Sequence, residues 1–232
     1  MKTTATFALG ELLYQNALAR EEDVRGFKME GEAVLSFPLG RMRMENLLDP
    51  KLGQQSNFVF WCPEEFPDNI AITWEFWPIR EPGLCVFFFA AKGSGGEDLF
   101  DDRLKPRQGP YDHYHHGDIN AYHVSYFRRK YESERSFQLC NLRKSYGFHL
   151  VAQGADPIPT VADAQGPYQM KVIKWGREIH FFINDLPIFQ WEDDGETFGQ
   201  VLQGGKLGFR QMAPLIAEYA NLRVHRVDKV EG

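Results

Sequence analysis

The chain is poor in cysteine, has no long apolar run and carries no excess of positive charge. Its three cysteines, Cys62, Cys85 and Cys140, are scattered, with no C-x-x-C pair and no His-x-x-x-His spacing beside them. That pattern excludes a disulfide framework and a cysteine-based zinc site, and each thiol reads as a small buried hydrophobe. No segment approaches the roughly 20 apolar residues needed to span a bilayer, so no membrane role is expected. The first twenty residues also lack a continuous apolar segment, because Gly10, Glu11 and Gln15 interrupt it, and a cytoplasmic location is the expectation. With 26 Lys+Arg against 32 Asp+Glu the formal charge is −6. A general nucleic-acid binder needs a basic surface to displace counterions, so that class drops out. An anionic small ligand does not, since a local arginine cluster can oppose the net charge.

What the chain has in quantity is aromatic residues: 19 Phe, 9 Tyr and 5 Trp among 232. Such residues suit a pleated, half-buried surface and point to an all-β protein. A chain of this length buries a substantial core without metal or disulfide help, and it reads as a single domain over 1–232. Alternation recurs along it. Residues 70–77 alternate until Pro78, which is expected to stop the strand, and 84–91 form an apolar run typical of a central strand buried on both faces. Further strands are expected over 121–127, 137–142, 168–175, 178–184, 187–191, 206–211 and 217–227, with hairpins at Gly176 and at Asn184-Asp185. Helical spacing is confined to 8–20, through Leu9, Leu12, Leu13 and Ala17, with a second brief turn at 43–49. Segments 92–120 and 152–167 read as long loops, where binding residues concentrate.

Longer stretches resemble a known family. The segments MKVIKWGREIHFFINDLPIFQWEDD (170–194) and GGKLGFRQMAPLIAEYANLRVHRV (204–227) are similar to concanavalin A-like lectin/glucanase domains. The segments 61–70, 83–100, 115–129 and 140–159 resemble the YesU-like family, whose members are uncharacterised bacterial proteins often encoded with pectin and rhamnogalacturonan utilisation genes. The resemblance runs from about Leu13 to Val227. It implies a two-sheet antiparallel jelly-roll sandwich, with a short N-terminal helix or none, whose concave face handles carbohydrate.

Several residue groups can carry such chemistry. The run from Tyr111 to Asp118 holds His113, Tyr114, His115 and His116. His113 and His115, two apart on a strand, could ligate a transition metal, but local hydrogen bonding in a surface loop explains them as well, and no metal or other cofactor is expected. Segment 118–129 has two faces by strand period, one with Tyr122 and Arg128, the other with His123 and Ser125, and neither is cleanly apolar. Asn141, Arg143 and Lys144 on the next strand, with Arg210 and Gln211 later, would give a cationic, hydrogen-bonding floor. Arginine's planar fork matches a carboxylate, so a uronate is the natural ligand; arginines paired with Glu75 or Glu218 are the plain alternative.

Two-carboxylate hydrolysis needs an Asp/Glu pair, and the E-x-D-x-E strand pattern of the related glucanases is absent; Glu75 and Asp118 remain as strand carboxylates beside aromatic residues. β-Elimination needs a base and a cation instead, and Tyr122, His123 and Arg143 supply those types. Among the tryptophans Trp77, before Pro78, is a candidate sugar-stacking platform. The glycine-rich 92–98 lacks the ending of a phosphate loop. The leading expectation is therefore an intracellular enzyme cleaving short acidic or rhamnose-containing oligosaccharides by hydrolysis or β-elimination. The alternative is a lectin-like binding module without catalysis. An oligosaccharide is the expected partner, and a homodimer is left open.

Overall fold

The computed structural model describes residues 6–230. Within them the strands are, in chain order, β1 (Thr6–Asn16), β2 (Lys28–Glu30), β3 (Ala33–Ser36), β4 (Met42–Asn46), β5 (Phe58–Trp61), β6 (Ile70–Arg80) and β7 (Leu84–Gly93). They continue as β8 (Ile119–Tyr126), β9 (Leu139–Ser145), β10 (His149–Ala155), β11 (Tyr168–Trp175), β12 (Glu178–Ile183), β13 (Leu186–Glu192), β14 (Lys206–Met212) and β15 (Ile216–Val230). One sheet runs β13-β12-β11-β6-β15-β4-β3, with β1 also on β15; the other runs β10-β9-β8-β7-β14-β5-β2. All pairings between these strands are antiparallel, giving the two-sheet jelly-roll sandwich.

The sheets face each other across an aromatic core. Trp74 stacks on Phe87 at 4.1 Å between ring centroids, and Phe76, Tyr126, Phe181, Phe209 and Tyr219 close around them. β7 is buried along almost its whole length, as its unbroken apolar run requires, because its outer face is covered too. That cover is the 94–118 segment. Leu99 and Tyr114 pack on Trp61, Phe88 and Val86 of the seven-stranded sheet as a second small core. A buried Glu30–Arg107 ion pair at 2.7 Å, with the Trp61 indole donating to Glu30 at 2.8 Å, anchors it.

Three local expectations are corrected. Residues 8–20 are mostly strand β1, not helix. Register shifts between Leu9, Leu12 and Tyr14 break the period of two, and these bulges produce the helix-like spacing of the apolar residues. A one-turn helix, Glu21–Val24, follows instead. The turn expected at 43–49 is largely strand β4, with 3₁₀ segments on either side of it at Pro38–Gly40 and Pro50–Ser56. Pro78 does not stop β6. The pairing of β6 with β11 ends at Phe76, so Pro78 has a neighbour only on the β15 side and no ladder bond is lost. Both expected hairpins form, with Gly176 at φ +52° and Asn184-Asp185 at +49° and +62°, the left-handed values that tight hairpin turns demand. No helix among the described residues is long and apolar enough to cross a membrane.

Candidate functional site

Strand pairing sets two rows of side chains on the outer face of the seven-stranded sheet. Arg210, Val86, Ser125 and Asn141 lie in register across β14, β7, β8 and β9; Gly208, Phe88, His123 and Arg143 form the adjacent row. The 94–118 segment covers part of this face and stops short of Ser125, Asn141 and Arg143. The uncovered part is a pocket of about 210 Å³, lined by Tyr111, Ser125, Arg128, Asn141 and Arg143 with Glu134. Tyr131 and Phe148, 51% and 44% exposed, stand at its edge. Drug-sized ligands occupy larger pockets, so this one suits a single sugar ring or a comparably small acid.

Its chemistry is cationic. Arg128 is paired with Glu134 at 2.9 Å. Arg143 donates to the Phe148 carbonyl at 2.9 Å and lies over the Phe148 ring at 3.6 Å, with no ion pair among the described residues. Arg210 is fully buried just beneath, over the Tyr111 and Tyr114 rings at 4.9 and 5.2 Å. Arg210 Nη2 reaches Gln54 at 3.3 Å, while its Nε and Nη1 have no partner among the described residues. Two guanidiniums thus share the pocket with one carboxylate while a third lies buried behind them, and burial lowers the pKa of both Arg143 and Arg210. A buried cation without a counter-ion is costly, and an anion bound above it offsets that cost.

Beside the arginines, the Tyr111 hydroxyl and His123 Nε2 are 2.6 Å apart. Burial pushes Tyr111 up to about 12 despite the neighbouring arginines. Burial, then Arg143, His115 and Arg210, hold His123 well below its ordinary range, so it is neutral. His123 is 1% exposed and its Nδ1 is unpartnered among the described residues. Of the pair only Tyr111 reaches the pocket surface.

The structure thus brings His123, Arg128, Asn141, Arg143 and Arg210 together and places the other candidates elsewhere. Arg128 shares the His123 face, not that of Tyr122, because the strand ends at Tyr126 and Phe127 turns the chain at φ +46°. The Asn141 amide lies 3.2 Å from Arg128 Nη1 and 2.8 Å from Gln153 Nε2. Tyr122 points into the core, donating to Asp193 and accepting from the Leu202 amide, and burial raises its pKa. Lys144 is buried against Asp193 at 2.6 Å. Gln211 is in the core, bonded to Tyr219 and to the Met44 and Leu215 carbonyls. Glu75 and Trp77 belong to the opposite sheet, Glu75 accepting from Gln169 and Asn221, Trp77 under Arg41 at 4.0 Å. Asp118 accepts from the Lys105 amide at 2.7 Å, His113 from the Gln108 amide at 3.0 Å, and the Tyr114 hydroxyl donates to the Gln108 carbonyl.

Asp112, His115 and His116 offer ligating atoms within 4.8 Å of one another. Yet Asp112 lies 3.3 Å from His115 Nε2 and His116 lies 2.5 Å from His115 Nδ1, on opposite edges of one ring. Burial and His116 lower the pKa of His115 to about 4. Gln54, Tyr131, Glu134 and Phe148 carried no signal in the sequence; Ser125 and Tyr111 did, the first by sharing a strand face with His123.

A model for the family described as a domain of unknown function, DUF1961, matches residues 11–224. The chain is 54% identical over 217 residues to a protein of Bacillus subtilis (strain 168) described as uncharacterized protein YesU, covering 94% of this chain and 96% of that one. It is also similar to a crystal structure of a B. subtilis protein of unknown function with a galectin-like fold: TM-score 0.94, 52% identity, 97% of this chain and all of the other. A B. subtilis carbohydrate-binding module, CBM66, matches at TM-score 0.54 and 12% identity over 86% of this chain and 95% of its own, a likeness of fold alone.

Proposed function

The chain belongs to the DUF1961 family of YesU-like proteins, and from that premise we propose that it is a carbohydrate-active protein whose cationic pocket grips the carboxylate of a uronate-containing oligosaccharide. The observation that carries this reading is the charge of the pocket: Arg128 and Arg143 line it against Glu134 alone, with Arg210 buried behind them. Arg143 presents its guanidinium to the pocket without a carboxylate partner among the described residues, and a bidentate grip on a uronate would supply one. Phe148 and Tyr131 at the edge suit the apolar face of a pyranose. The fold likeness to a carbohydrate-binding module agrees with this reading without deciding it.

The pocket supports β-elimination better than hydrolysis. Glu134 is its one carboxylate, it is tied to Arg128, and ordinary glycosidases need two. In elimination, the arginines stabilise the anion that develops on the carboxylate as the neighbouring carbon loses its proton. That proton passes to the Tyr111 oxygen as the Tyr111 proton passes to His123 Nε2. The C–H electron pair forms the carbon–carbon double bond, the glycosidic bond breaks, and the proton returns through Tyr111 to the leaving oxygen. No water is consumed. A bound carboxylate also shields His123 from the arginines, which makes it a better proton acceptor when substrate is present.

Incubation with pectin-derived oligosaccharides, followed by mass spectrometry and ultraviolet absorbance, tests the reading. Unsaturated uronate products without added water, lost in Tyr111→Phe, are expected. Products that gain water would overturn elimination. Saturable binding without turnover would leave the uronate grip standing as a lectin-like activity.

A further inference from the structure

The 146–148 turn that follows β9 divides two concavities. Phe148 lines the cationic pocket, while Tyr146 lines a larger cleft of about 880 Å³ at the end of the seven-stranded sheet. The charges of that cleft are matched, Lys144 by Asp193 and Lys92 by Glu65, each at 2.6 Å. The one-turn helix Asp112–His115 and the following His116 pack against the same turn. The Gly147 amide donates to the His115 carbonyl at 2.6 Å, and the Tyr146 ring centroid lies 5.6 Å from that of His116.

Among the described residues, Asp112, His115 and His116 are the one group of three whose ligating atoms converge. His115 is its fixed member. It is 6% exposed, and its ring contacts those of Tyr111 and Phe148 at 4.7 and 4.8 Å between centroids. Asp112 lies 3.3 Å from His115 Nε2, the contact that a carboxylate makes with the outer N–H of a metal-ligating imidazole. That contact places the His115 proton on Nε2 and leaves the Nδ1 lone pair free. His115 Nδ1 faces His116 Nδ1 at 2.5 Å, closer than an ordinary N–H hydrogen bond. Two nitrogens bound to one tetrahedral ion at about 2.0–2.1 Å stand about 3.3 Å apart. His116 is exposed and can withdraw from 2.5 Å to that spacing while His115 stays in place.

We propose that His115 and His116 chelate a divalent transition-metal ion through their Nδ1 atoms, with Asp112 as the outer carboxylate that orients His115. The ion takes the place of the hydrogen between the two rings. His116 then carries that proton on Nε2, so no net proton is released. Imidazole ligands suit Zn²⁺, Ni²⁺ and Cu²⁺, and water fills the remaining positions. Asp112 also supplies the negative charge that a dication needs this close to Arg143 and Arg210. His113 stays outside the site, because its Nδ1 accepts from the Gln108 amide at 3.0 Å. The proposal goes beyond the uronate reading and does not rest on it.

The test titrates the untagged full chain with Ni²⁺ and Zn²⁺ by calorimetry and follows the histidine rings by NMR. One ion per chain is expected to bind, moving the ring signals of His115 and His116 and leaving those of His113 in place. His116→Ala, at an exposed position, is expected to weaken binding tenfold or more. Asp112→Asn, which keeps the shape and removes the charge, is expected to weaken it about tenfold. His113→Asn is expected to leave it unchanged. Melting temperatures of the metal-free variants, expected to match that of the parent chain, separate loss of a ligand from loss of the fold. No saturable binding of either ion would overturn the proposal. One-to-one binding that survives His116→Ala, or that moves the ring of another histidine instead, would overturn it too.

Discussion

Arg143 and Lys144 are consecutive cations on one strand, and the molecule treats them in opposite ways. Lys144 points inward from the end of β9, where Asp193 matches its charge and the Gly199 carbonyl takes a second hydrogen. Arg143 points outward, is partly exposed, and meets an aromatic ring and a carbonyl but no carboxylate among the described residues. The difference separates a structural charge from one held ready for a ligand. It also separates the two concavities, one holding the unmatched Arg143, the other lined by the matched Lys92 and Lys144.

Breaking the matched pair has the largest expected effect. Lys144→Ala leaves Asp193 charged and buried, and a loss of about 3–5 kcal/mol in chemical denaturation is expected. Arg143→Ala, by contrast, changes stability by less than about 1 kcal/mol, because the site is partly open to water.

Acid acts next. Burial and His116 hold His115 near 4, against an unfolded value near 6.5. Burial and the arginines hold His123 well below its ordinary range. Both folded values are depressed, so the stability of the neutral forms is complete above about pH 6.5. It declines as pH falls below that, where the unfolded chain takes up protons first, and for His115 it is gone below about 4. For His115 the linkage amounts to at most about 3 kcal/mol. Melting temperature is expected to fall between pH 7 and pH 4.5, and to fall less in His115→Gln.

Arg143→Ala sharpens the comparison from the binding side. Removing a charge-assisted contact should weaken galacturonate tenfold or more, equivalent to about 1.4 kcal/mol. Arg210→Met separates function from stability. A buried guanidinium with two unpaired nitrogens is replaced by a flexible apolar chain, so stability is expected to rise by about 1–3 kcal/mol while galacturonate binds more weakly. Unchanged galacturonate binding in Arg210→Met would remove that residue from the account. The smallest effect is ionic: raising salt should weaken galacturonate a few-fold and leave neutral glycosides untouched.

The sandwich was legible because alternation and turn residues are local signals. Strands 168–175, 178–183 and 206–212, with the hairpins at Gly176 and Asn184-Asp185, needed no distant information. The N-terminal strand was hidden because its bulges imitate helical spacing. The site was half legible. Period two divides β8 into two faces, but nothing in it says which face is outward, so Tyr122 and His123 read alike. Arg143 and Lys144 were ambiguous for the same reason, since the partner that removes Lys144, Asp193, lies far along the chain. Arg128 crossed to the His123 face through a single left-handed residue, Phe127, which no propensity signals. Gln54 and Glu134 reach the pocket from the 3₁₀ segment Pro50–Ser56 and the one-turn helix Glu132–Ser136, whose placement only tertiary packing sets.

The most direct test is calorimetric titration with galacturonate and galactose, two sugars that differ by a carboxylate against a hydroxymethyl group. At low salt galacturonate is expected to bind at least tenfold more tightly, and Arg143→Ala is expected to abolish that advantage. Equal affinity for the two sugars, or an advantage that survives Arg143→Ala, would contradict the claim that the arginine pocket is a uronate site.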